Sequence, residues 1–358
     1  MTSQGEAVRQ ARWISVSELA GGAAGAPLWN ARGVIEDPLL VVDLHRPTGR
    51  EVIEAAVRAA ADADRVLVGV GPVHGVPPAL LDAVDTTLVA GEPDGPAQVG
   101  VPDPGATAAA LASAAAANPQ ASLVLAHRLR TSGQLGVRAA LEAESLAYST
   151  LLGGPEFAGW LDRRGPRPGP PACADPVVLA RDGDRLRITL NRPQRRNAYG
   201  REVRDGLVSA LQLAELDPGI GRVLLDGAGP SFCAGGDLDE FGTTPDPVTA
   251  HLVRTHGGAA MALHRLAGRT HVRVHGACVG AGIELPAFAG AVTAHPDTTF
   301  RLPEVGMGLV PGAGGTVSIP ARIGRWRTLH LALGGHPLTA DIALAWGLID
   351  AIAAPENL

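Results

Sequence analysis

The same succession of elements is written twice in this chain. In the first half, residues 39–42 form an apolar strand-like run that Arg46-Pro47 breaks. Gly49-Arg50-Glu51-Val52 then opens a stretch with apolar residues at helical spacing to residue 62. Arg65-Val66-Leu67 begins a second buried strand, which ends at Gly69-Val70-Gly71-Pro72. In the second half, residues 186–190 read as a strand followed by Arg192-Pro193. Gly200-Arg201-Glu202-Val203 opens a helix, Arg222-Val223-Leu224 starts a strand, and Gly227-Ala228-Gly229-Pro230 closes it. Four matching signals in the same order indicate an internal repeat, and strand–helix–strand units of this length indicate an α/β fold.

The copies diverge after the second strand. The first has no counterpart of Phe232-Cys233-Ala234-Gly235-Gly236-Asp237-Leu238, and Pro72 inside its glycine turn spoils any dinucleotide-binding spacing. It runs instead into an alanine-rich helix over 105–117, a second helix from Asn118-Pro119, and a third over 135–152 that stops at Gly153-Gly154-Pro155. The run RRGPRPGPP at 163–171 excludes regular structure. The expected division is therefore a first module at 1–162, a linker at 163–174 and a second module at 175–358. Residues 1–37 receive no role, although Trp13 and Trp29 are candidate docking anchors.

The chemistry concentrates in the second module, between His275 and Thr316. Two glycine-rich turns, Gly280-Ala281-Gly282 and Pro311-Gly312-Ala313-Gly314-Gly315, bracket Glu284 and Glu304, each among apolar neighbours. Burial and like charge raise a carboxyl pKa, which is how an acid or base is tuned to work near neutrality. Arg301 is expected to pull Glu304 the other way, and the plainer alternative is that each acid caps a helix or pairs with that arginine. Small residues in FCAGGDL, and in the turn before the apolar helical stretch after Gly280, would let backbone N–H groups face a ligand oxygen. Two converging donors make an oxyanion hole, with each donor contributing on the order of 3 kcal/mol.

Residues 175–352 resemble the crotonase, or enoyl-CoA hydratase/isomerase, family. The matching segments are Asn191-Arg192-Pro193 with Asn197-Ala198, FCAGGDL, GAGIEL, LPEVGMGLVPGAGGT and LTADIALAWGLID. The resemblance implies a repeated ββα spiral, here in tandem with a degenerate first copy. It also implies oxyanion donors at the N–H groups of Ala234 and Ala281, and a water held by Glu284 and Glu304. Such a site hydrates a 2-enoyl-CoA through an enolate, which makes the protein a hydro-lyase. Other members isomerise or hydrolyse acyl-CoA, and a non-catalytic acyl-CoA-binding partner is the alternative outside the enzymes.

The resemblance places coenzyme A, as part of the substrate and not as a cofactor, against Arg192, Arg196, Ala198, Gly236, Asp237 and Leu238, with Arg128 and Arg130 as further candidate phosphate ligands. Family members normally continue past the GLID-like segment into helices that cover the site and build trimers or hexamers. Here residues 118–157 resemble those helices although they precede the module, and they are expected to pack on it. A net charge of -6 offers no attraction for nucleic acid or an anionic membrane. Cys173, Cys233 and Cys278 lack metal or disulfide spacing, which fits the cytoplasm, and the first residues do not read as a secretory signal.

Overall fold

The computed structural model describes residues 11–46 and 49–354. Pro47 of the first Arg-Pro break lies outside them, as do residues 1–10 of the segment given no role. Two compact units are present: residues up to Arg130 together with Arg325–Gly334 form one, and Thr131–Gly324 with the residues from Gly335 onward form the other.

The first unit contains β1 (Arg12–Ser15), α1 (Val16–Ala20), β2 (Leu39–Asp43), α2 (Arg50–Ala61), β3 (Val66–Val70), α3 (Pro78–Ala83), β4 (Thr86–Val89), β5 (Gln98–Gly100), α4 (Pro104–Ala117) and α5 (Pro119–Arg130). Its sheet is parallel throughout, in the order β1-β2-β3-β4-β5. The strands read VLVGV and LLVV because both faces of a parallel sheet are covered, and every residue of β3 is buried. Ser15 and Glu18 form a reciprocal capping box at α1, and Asp103 caps α4.

Arg65, 2% exposed, donates to the carbonyls of Ala24, Ala26, Pro27 and Asp37 and so fixes the irregular segment before β2. That gives residues 24–37 an organising partner which their composition did not suggest. Trp13 and Trp29 are exposed.

The second unit begins with α6 (Val137–Leu152) and α7 (Pro155–Arg164). It continues with β6 (Val177–Asp182), β7 (Arg185–Leu190), α8 (Arg201–Leu216), β8 (Arg222–Gly227), α9 (Pro247–Gly257), α10 (Ala260–Arg265), β9 (Thr270–Val274), β10 (Ala277–Val279) and α11 (Ala281–Glu284). The last elements are β11 (Ala291–Ala294), β12 (Thr299–Arg301), α12 (Gly315–Gly334, whose part from Arg325 belongs to the first unit), β13 (Leu338–Thr339), α13 (Ala340–Trp346) and β14 (Ala351–Ile352). Its main sheet runs β14-β11-β9-β8-β7-β6, and a small sheet runs β10-β12-β13. Only the edge hairpin β6–β7 is antiparallel in the main sheet. From β7 to β14 the successive strands of the main sheet lie parallel, each reached by a connection that returns the chain to the next position, so the module spirals. α12 breaks at Gly324, whose φ of 80° is not helical.

Two expectations need correction. The Pro/Gly run does not divide the units. Residues 165–173 are irregular but lie within the second unit, held where Cys173 N–H donates to Glu202 and Arg192 donates to the Pro171 carbonyl. The helices 118–157 are also split: α6 and α7 belong to the second unit, whereas α5 belongs to the first. Arg130 on α5 pairs with Asp85 at 2.6 Å and Arg128 is 6% exposed, so neither is a surface cation for phosphate.

Candidate active site

The loop after β8 and the turn after β10 are joined through their backbones. Cys233 and Cys278 form a parallel bridge, and Val279 N–H donates to the Cys233 carbonyl at 3.1 Å. Gly282 packs so closely that a Cβ there would lie 2.0 Å from the same carbonyl oxygen. The two small-residue corners are thereby brought to one cavity of about 240 Å³, lined by Gly236, Ala281, Glu284, Glu304, Tyr148 and Arg254 among others.

The amides differ from the expected pair. Ala234 N–H donates to the Arg196 carbonyl at 3.0 Å, and Ala234 does not line the cavity. Gly236 and Ala281 do line it, and neither N–H has an acceptor among the described residues. The reason lies in the bend of the loop: Gly235, with φ 98°, turns the chain after Ala234, so that Gly236 and not Ala234 reaches the cavity wall. α11 is a single turn continued by a 3-10 turn at Pro286–Phe288, because Pro286 cannot donate within a longer helix. The Ala281 amide therefore stands at the start of a single turn and not of a long helix.

Glu284 and Glu304 meet at Gly280. A Cβ on Gly280 would lie 2.5 Å from Glu304 Oε1 and 3.6 Å from Glu284 Oε1, and its φ of 50° itself favours glycine. Glu284 Oε2 accepts N–H groups from Ala313 at 2.7 Å and Gly315 at 2.9 Å. Glu304 stands on the short turn Glu304–Met307, and its Oε2 is buried without a hydrogen-bond partner among the described residues.

Burial pushes the Glu284 carboxyl well up, helped by the charges of Glu304 and Glu144 and opposed by the two amides. Burial and Glu144 raise Glu304 to about 8, while its own amide and Arg301 pull downward. The expected depression by Arg301 is real in sign but is outweighed. Arg301 is exposed and donates to the Gly335 carbonyl, and it does not pair with Glu304. The two acids titrate together, and near neutrality the pair holds on to a proton. Amide bonds to Glu284 favour its ionised form, while burial and the charge of Glu304 act more strongly the other way, so the pair shares one proton.

Two groups on α6 escaped sequence reasoning. Glu144, 2% exposed, accepts N–H groups from Gly314 and Thr316, both at 2.7 Å, and the Thr316 hydroxyl at 2.8 Å. Tyr148, one turn on, lines the cavity, and its ring packs on Gly312. Burial and the neighbouring acids keep its phenol protonated far above the ordinary range. The spacing Leu141, Glu144, Ser145, Tyr148, Leu152 is one helix face, and an acid, a serine and a tyrosine between two leucines were the available signal. α7 closes the other side, where Gly308 packs against Glu156 and Phe157, and Phe157 stacks with Trp160 at 5.9 Å.

The coenzyme A candidates separate by burial. Arg192 is 1% exposed, 3.5 Å from Asp237 and 3.8 Å from Glu202, so it cannot meet a phosphate. The Asp237 carboxylate is consumed by Arg192 and Arg195, the latter at 2.5 Å. Both expectations are corrected on that ground. Ala198 is 9% exposed, and neither it nor Leu238 lines the cavity. Arg196 is exposed and has no ion-pair partner among the described residues, and Gly236 lies in the cavity wall. No group of three or more His, Cys, Asp or Glu placed to hold a metal occurs among the described residues.

Residues 185–358 match the enoyl-CoA hydratase/isomerase family model. The chain is 35% identical over 178 residues to the 1,2-epoxyphenylacetyl-CoA isomerase of Escherichia coli (strain K12), which covers 48% of this chain and 68% of that protein. It is 37% identical over 180 residues to the probable enoyl-CoA hydratase echA14 of Mycobacterium tuberculosis (strain CDC 1551 / Oshkosh), which covers 50% of this chain and 70% of that protein.

Proposed function

The chain belongs to the enoyl-CoA hydratase/isomerase family, and from that premise we propose that its second unit adds water across the double bond of a 2-enoyl-CoA. The observation that carries this reading is the meeting of two raised acids, Glu284 and Glu304, at Gly280 next to the free Ala281 amide. The thioester oxygen accepts hydrogen bonds from Gly236 and Ala281, which stabilise the charge that gathers there as the enolate forms. A water held between the acids loses a proton to ionised Glu284 as its oxygen bonds to Cβ. Protonated Glu304 gives its proton to Cα as the enolate collapses. Protons balance, and the acids exchange states until solvent resets them.

Arg196 is the candidate for coenzyme A phosphate, and α6 and α7 provide the cover that excludes water. The first unit is read as a degenerate copy of the same fold. Its β2–α2–β3 order matches β7–α8–β8, and its sheet follows the chain order as the second sheet does. A cytoplasmic location and a trimeric or hexameric assembly belong to the same proposal.

The test follows loss of the conjugated enoyl-thioester absorbance of crotonyl-CoA with the full chain. Hydration is expected, with Glu284→Gln and Glu304→Gln each slower by about 100-fold or more. Coenzyme A binding without turnover in the unaltered chain would favour a non-catalytic partner. Turnover needing only one acid would favour an isomerase.

A further inference from the structure

Arg254, on α9, has an uncompensated charge at the wall of this cavity. Its Nε donates to Ser145 Oγ at 3.2 Å, its Nη2 to the Ser145 carbonyl at 3.3 Å and to Ser149 Oγ, and its guanidinium lies 4.3 Å from the centre of the Tyr148 ring. All of these partners are neutral. Among the described residues Arg254 forms no ion pair with a carboxylate, and its Nη1 has no acceptor. Glu144, the nearest acid acting on it, has its oxygens committed to Gly314 and Thr316. Of the other arginines at these walls, Arg204 pairs with Asp205 at 2.7 Å, and Arg138 and Arg201 are exposed to solvent.

A partly buried guanidinium held by hydroxyls and an aromatic face is fixed in place, yet it lacks the counter-charge that would offset its desolvation. It lines both the 240 Å³ cavity that holds Gly236, Ala281, Glu284 and Glu304 and a smaller one of about 90 Å³ that shares Tyr199, Gly312 and Ala313. The larger space has room for a short acyl chain with a terminal carboxyl.

We infer that Arg254 binds a carboxylate at the far end of the acyl chain, so that the preferred substrates are thioesters of dicarboxylic acids. The inference rests on the acyl-CoA reading of this cavity but not on the reaction performed there. The guanidinium supplies an N–H···O⁻ contact from Nη1 while Ser145, Ser149 and Tyr148 hold it in position.

The experiment measures binding of unreactive saturated thioesters to the full chain by calorimetry, pairing succinyl-, glutaryl- and adipyl-CoA with butyryl-, pentanoyl- and hexanoyl-CoA. At one chain length or more the diacid thioester is expected to bind at least tenfold tighter, an advantage that Arg254→Gln abolishes and Arg254→Lys partly keeps. Equal or weaker binding of all three diacid thioesters by the unaltered chain overturns the inference, and this result needs no variant to fold. Loss of the advantage in neither variant overturns it as well. A carboxylate preference in a chain that fails to hydrate crotonyl-CoA would defeat the hydratase reading and leave this one standing.

Discussion

Glu144 and Glu284 grip alternate amides of one backbone turn. Glu284 takes the N–H groups of Ala313 and Gly315, and Glu144 takes those of Gly314 and Thr316, all at 2.7–2.9 Å. Four consecutive donors are thus shared between Glu284 of the candidate site and an acid of α6. α6 thereby fixes the position of Glu284, and its negative charge raises the pKa of both site acids.

Glu144→Gln should expose that link. An amide turns a donor toward a backbone N–H, so the variant should lose about 1–3 kcal/mol of stability. With the charge gone, Glu304 gives up its proton more readily, and the high-pH limb of kcat/KM should move to lower pH. Thermal unfolding and a pH–rate profile check both parts; an unmoved limb would remove Glu144 from the electrostatics.

The raised acids also set a pH dependence of stability. Their folded-state pKa values lie above the unfolded value of 4.5, so the favourable contribution is complete below that value and is lost as pH rises through about 8 for Glu304. Glu304→Gln should therefore melt at a higher temperature than the unaltered chain near pH 9, by a few kcal/mol of stability, with little gain near pH 5. Melting curves across that range decide it.

The two arginines after β7 should fail in opposite ways. Arg192→Ala leaves Asp237 buried with one partner fewer, and about 3–5 kcal/mol of stability should go with it. Arg196→Gln should leave the melting temperature nearly unchanged while raising KM for the coenzyme A thioester several-fold. Equal stability losses would place Arg196 in the structural cluster instead.

The fold was legible where period and punctuation agreed. The runs at 39–42 and 65–72 became β2 and β3, and the signals at 49–62 and 118–119 became α2 and the start of α5. Glu284, Glu304 and Ala281 were legible as a group because unusual residues clustered around glycine turns. Ala234 was misplaced because the letters do not show that Gly235 turns the chain and gives the Ala234 amide to Arg196. Arg192 and Asp237 looked like ligand groups because sequence marks charge but not the burial that pairs them. Glu144 and Arg254 were hidden for a related reason: their meaning comes from partners more than a hundred residues away, at Gly314 and Ser145.

The most direct measurement runs the full chain with crotonyl-CoA in water enriched in oxygen-18 and follows the product by mass spectrometry. If Glu284 and Glu304 act on one water, each product molecule should carry one heavy oxygen, bonded to Cβ, and labelled product should form about 100-fold more slowly with either Gln variant. A product that forms without heavy oxygen, or labelling that survives loss of both acids, would contradict the account.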